Sequence, residues 1–88
     1  MQLVIVEWRD IIQTSGWEPQ EEVKCPVIRS VGWIITQDDP STIKICNTIA
    51  PEDFDEKKDG KEYGITAFPK GCVDRVEFLS CEVKAITD

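Results

Sequence analysis

The sequence predicts an all-β domain: a small antiparallel barrel of five or six strands, of the Sm-like or SH3-like kind. Three observations carry this. Residues 27–49 divide into two apolar arms around a polar turn, which is the pattern of a β-hairpin. Short segments rich in β-branched and aromatic residues recur along the chain, punctuated by Pro, Gly, Ser and Asp, and no stretch reads convincingly as a helix. Gly32 interrupts the first hairpin arm, where a glycine marks a bend, a bulge or a close backbone approach, and strongly curved strands let a small sheet roll up.

Taken in order, Leu3 to Asp10 is the first strand, with Val4, Val6 and Trp8 on one face and Leu3, Ile5 and Glu7 on the other. Ile11 to Trp17 follows as a turn or short strand bending at Ser15-Gly16. Trp17 lies in a polar segment outside any strand. It either caps an open end of the core or stands free to stack on a planar ligand. Glu18 to Glu22 is a loop with room for one helical turn behind Pro19, and Pro26 introduces the next strand, where its missing N–H does little harm.

The hairpin itself runs from Val27 to Thr36, turns at Gln37-Asp-Asp-Pro-Ser41, and returns from Thr42 to Ile49. Its second arm puts Ile43, Ile45 and Ile49 on a core face and Thr42, Lys44, Cys46 and Thr48 on a wet one. Val31 to Ile35 is apolar on both faces, so this arm belongs at the centre of the sheet or is covered on its second side by another chain or by the N-terminal strand. Arg29 is the one charge in the arm. Its planar fork suits an acidic partner at a subunit interface or the carboxylate or phosphate of a ligand.

Residues 51–62 form an acidic surface loop anchored by Phe54. Asp55, Lys57, Asp59 and Gly60 resemble the start of a calcium loop, but Lys57 stands where a carboxylate is needed and Thr66 where the closing Glu belongs, so the spacing does not make a calcium site. Tyr63 to Phe68 is the fourth strand. Pro69-Lys-Gly71 turns the chain, and Cys72 to Leu79 returns as the fifth, with Val76 and Phe78 facing the core. Cys81 to Ile86 alternates as an edge strand.

Composition narrows the function. The 88 residues make one domain, and a chain of this size buries only about 60% of its unfolded surface, so self-association would help it. Seventeen acidic against ten basic residues give a net charge of −7, which argues against broad binding to a phosphate backbone. The chain has no histidine, which removes Ser-His and Cys-His nucleophile pairs. Cys25, Cys46, Cys72 and Cys81 stand 21, 26 and 9 positions apart, without the close pairs of a zinc site. Glu7 and Asp10, three apart on a strand, face opposite sides and make no acid–base pair. No signal peptide and no membrane span are legible. The expectation is a soluble intracellular protein with free thiols, no cofactor and no catalytic activity.

Four motifs occur in a telling order: Trp8-Arg-Asp10, Gly16-Trp17, Ser30-Val-Gly-Trp33 and Phe68-Pro-Lys-Gly-Cys-Val73. In this the chain resembles a family of small tailed-bacteriophage proteins that read W-x-D, G-W, S-x-G-[WY] and I-P-K-G-x-[IV], with Phe68 here in place of the usual aliphatic residue. The resemblance implies a phage origin, a host-cytoplasm location and a small Sm-like or SH3-like barrel, and it supplies no catalytic residues.

The expected function is therefore a non-enzymatic, homo-oligomeric binding module for a nucleotide or short nucleic acid, such as a sponge for host signalling nucleotides. Trp17 would stack on a base while Arg29, Lys44 or Lys70 met phosphate. The alternative is an acidic interaction protein that inhibits a host factor by imitating the charge of DNA.

Overall fold

The computed structural model describes residues 2–50, 61–80 and 86. Five strands form one antiparallel sheet: β1 (Leu3–Arg9), β2 (Val27–Ile35), β3 (Thr42–Ile49), β4 (Glu62–Pro69) and β5 (Val73–Phe78). Their spatial order is β4-β3-β2-β1-β5. Among the described residues β4 and β5 share no ladder, so the sheet has two edges and is not closed. Residues 51–60 of the expected acidic loop, with its Phe54 anchor, most of the calcium-like spacing, and the edge strand expected at Cys81 to Ile86 apart from Ile86 itself lie outside the described residues, whereas Glu62, expected to end that loop, already begins β4.

The alternation of β1 decides which side is inside. Val4 and Val6 have no solvent exposure, and Ile45 and Phe68 complete a buried cluster with Trp8, Ile34, Ile43, Val73 and Val76 packed around it. Each fully buried aliphatic side chain contributes about 1.5–3 kcal/mol. This inner face is covered by the sheet's own curl. β1 and β4 are three strand spacings apart, about 14 Å in a flat sheet, yet the Trp8 and Phe68 rings stand 5.5 Å apart, tilted by 55°. The Trp8 indole keeps its hydrogen bond inside the curl, with Nε1 donating to Ser30 Oγ at 3.0 Å.

Gly32 is where the curl needs a missing side chain. A Cβ there would stand 2.6 Å from the backbone oxygen of Cys46, on the neighbouring strand. In β4 the backbone of Gly64 takes a φ of 65°, and the Asn47 side chain occupies the space above it. A register shift between Glu7 and Trp8 bends β1 against β5. Beside it, Arg9 Nε reaches Asp74 Oδ2 at 2.8 Å.

The connections follow their turn chemistry. Residues 10–26 cross the surface with a bend at Gly16 and one 3-10 turn at Gln20–Glu22, directly behind Pro19. Pro69 leads into a second 3-10 turn, Lys70–Cys72, which joins β4 to β5. Two expectations change. Cys46 lies on the face opposite the core, yet it is fully buried, held in register between Trp33 and Ile65. Phe78 shares the inner parity but sits at the rim of edge strand β5, where more than half of its surface meets solvent.

Gly32→Ala should destabilise the fold by about 1–3 kcal/mol, because the neighbouring backbone has to move to admit the methyl group. Gly71→Ala meets open space and should be neutral or gain up to about 1 kcal/mol. Urea unfolding of the two variants checks this, with the midpoint falling only for the first.

Candidate functional site

The hairpin turn between β2 and β3 is built by side chains bonding local backbone. Asp39 Oδ1 accepts from the Ser41 N–H at 2.9 Å and from Ser41 Oγ at 2.6 Å, and its Oδ2 accepts from Thr42 Oγ1 at 2.9 Å. Gln37 closes the turn from inside: its Nε2 donates to the carbonyls of Asp39 and Thr42, and its Oε1 accepts from the Asp39 N–H at 2.7 Å. Pro40 fixes the backbone between them.

One hydrogen bond beyond the β3–β4 ladder ties this turn to the start of the β4–β5 turn. The Lys70 N–H donates to the Ser41 carbonyl at 2.9 Å, so the β4–β5 turn is held against the hairpin turn. A hollow of about 410 Å³ opens between them, within the usual range of small-ligand sites. Its apolar wall is Ile34, Ile35, Ile43 and Phe78, and its polar rim is Lys44, Lys70 and Asp39. Two ammonium groups against one carboxylate leave the rim positive, on a chain whose overall charge is −7.

The Asp39 carboxyl is held at a pKa of about 2, well below its ordinary 3.8. The hydroxyl and backbone N–H of Ser41 are the main cause, followed by the Thr42 hydroxyl, with a smaller contribution from the charge of Lys44. Asp39 thus stays ionised and committed to the turn, where it organises the rim.

The four residues singled out from sequence part company. Lys44 and Lys70 come together on this hollow. Arg29 is on the outer face of the sheet, where its Nε donates to Glu7 Oε2 at 3.1 Å, so its acidic partner is in its own chain. Trp17 caps nothing: its side chain is entirely exposed on the residue 10–26 excursion, away from the hollow. Sequence reasoning missed Phe78, placed in the core, and Gln37 and Asp39, read only as turn residues. The Asp-Pro-Ser-Thr order was the available signal for the Asp39 network.

A second hollow of about 180 Å³, lined largely by apolar atoms, opens beside Trp8, Ile11, Phe68 and Pro69. It holds no cationic cluster. Among the described residues Cys25, Cys46 and Cys72 are free thiols, and burial, with the charge of Glu62 behind it, pushes the Cys46 thiol up. Also among the described residues, no helix is long and apolar enough to cross a membrane.

Because the Asp39 pKa is depressed on folding, its contribution to stability is present above the unfolded value near 3.8 and is lost as pH falls toward about 2. A carboxyl NMR titration should place its midpoint near 2. Asp39→Asn should flatten the stability loss between pH 4 and pH 2 relative to the parent, and an ordinary midpoint for Asp39 would contradict the turn network.

The chain matches no family model, no curated protein and no solved structure, so its chemistry rests on its own residues.

Proposed function

We infer that this protein is a non-enzymatic binding module for a nucleotide, and that the hollow between the two turns is its site. The observation that carries the reading is the meeting of Lys44 and Lys70 over an apolar wall that includes the half-exposed Phe78 ring. Two point charges suit the oxygens of a phosphate chain, and the ring gives a base a face to stack on. The size of the hollow fits a mononucleotide or one end of a longer ligand, not a duplex, which agrees with the acidic balance of the whole chain. Within this reading the curled sheet is a small open barrel of the Sm-like or SH3-like type, its β4 and β5 edges bridged by the Lys70–Cys72 turn. A sponge for signalling nucleotides is the role such a module serves, since binding without turnover is all it requires.

Calorimetry with ATP and with a cyclic dinucleotide should detect binding that weakens as salt rises. Lys44→Glu and Lys70→Glu should each reduce affinity about tenfold or more, as expected for a charge-assisted contact worth about 1.5–3 kcal/mol. Phe78→Ala should lose a similar factor through stacking, while Trp17→Ala leaves affinity unchanged. No binding by either nucleotide, or indifference to both lysine changes, would overturn the assignment.

A further inference from the structure

The outer face of β1 and β2 is an alternating surface of a different kind. Register pairs Glu7 with Arg29, Ile5 with Val31 and Leu3 with Trp33. These positions alternate with buried Val4 and Val6, so they stand on the side away from the core. Val31 is 56% exposed and Val27 45%, both on β2, a strand inside the sheet and not at its rim. Beside them, Arg29 bonds Glu7 at 3.1 Å and Arg75 bonds Glu77 at 3.2 Å, and these four line a recess of about 160 Å³ with Ile5. Their charges cancel. On a chain of net charge −7, this is a face that two copies can bring together without like-charge repulsion.

We propose that this face is the interface of a symmetric homodimer. A twofold axis running along the strands, between β1 and β2, exchanges the two strands. Each β1 residue then lies over its own register partner from the other copy: Glu7 over Arg29, Ile5 over Val31 and Leu3 over Trp33. The intrachain Glu7–Arg29 pair becomes a square of two glutamates and two arginines in which every close opposition is attractive. Val31 and Ile5 close over each other beside it, removing from water the apolar side chains that the sheet leaves bare on this face. The proposal is independent of the nucleotide site, since none of Leu3, Ile5, Glu7, Arg29, Val31 and Trp33 lines that hollow.

Light scattering on the full chain should return twice the chain mass for the parent protein. Val31→Asp should return the monomer mass with an unchanged circular dichroism spectrum. The decisive experiment mixes two charge variants. Glu7→Arg carries two positive charges in the square and Arg29→Glu two negative ones, so each alone should be monomeric and an equimolar mixture should form a heterodimer. A register that pairs charges only within one chain cannot produce that rescue. A monomeric parent, a dimer indifferent to Val31→Asp, or folded charge variants that stay monomeric when mixed would each overturn the proposal. If Glu7→Arg fails to fold, the Val31→Asp result decides.

Discussion

One sheet has to cover its own apolar face, and the rest of the structure depends on how it does so. Among the described residues there is neither a second sheet nor any helix beyond two single 3-10 turns, yet Val4 and Val6 are completely withdrawn from water. Among the described residues it is the curl of the sheet that covers them. The Trp8–Phe68 contact spans β1 and β4 across the inside of that curl, and the bare backbone of Gly32 lets β2 and β3 approach closely enough to permit it. The Ser30 hydroxyl is the matching polar detail: it gives the indole N–H a partner where burial would otherwise leave it unsatisfied.

The same curl completes the candidate site. The bond from the Lys70 N–H to the Ser41 carbonyl continues the β3–β4 ladder and keeps Lys44 and Lys70 together, and the curl brings the Phe78 ring of β5, at the opposite edge, onto the same hollow. Asp39 sits on the rim as well, but hydroxyl and backbone donors occupy its oxygens, so it holds the turn and leaves the two lysines in the majority. A chain rich in acids thereby keeps a locally cationic hollow.

Much of this was legible in the sequence because it is local. The hairpin arms, the turn at residues 37–41, the Val4/Val6 face of β1 and the Lys70 turn follow from two-residue periodicity and from the preferences of Pro, Gly and Asp, and they stand within a residue or two of where the pattern puts them. Gly32 was readable as a close backbone approach for the same reason. What was not legible depends on register between distant segments. The partner of Arg29 is Glu7, on the far side of the residue 10–26 excursion, and periodicity within one strand says nothing about which residue lies opposite. Cys46 is buried on the nominally wet face because Trp33 and Ile65 flank it from two other strands. Phe78 is exposed because β5 is an edge, and edges are set by topology. Trp17 had two readings in sequence. Its full exposure follows from a surface excursion that offers it nothing to pack against.

The curl is tested most directly by nuclear Overhauser contacts between aromatic rings. Protons of the Trp8 indole and the Phe68 ring should give strong cross-peaks, accompanied by contacts from Trp8 to Ser30, in a chain labelled at those positions. Absence of the Trp8–Phe68 contact in folded protein, with the β1–β2 and β3–β4 ladders intact, would mean a sheet that does not roll onto itself, and Phe78 of β5 would no longer share a hollow with Lys44 and Lys70.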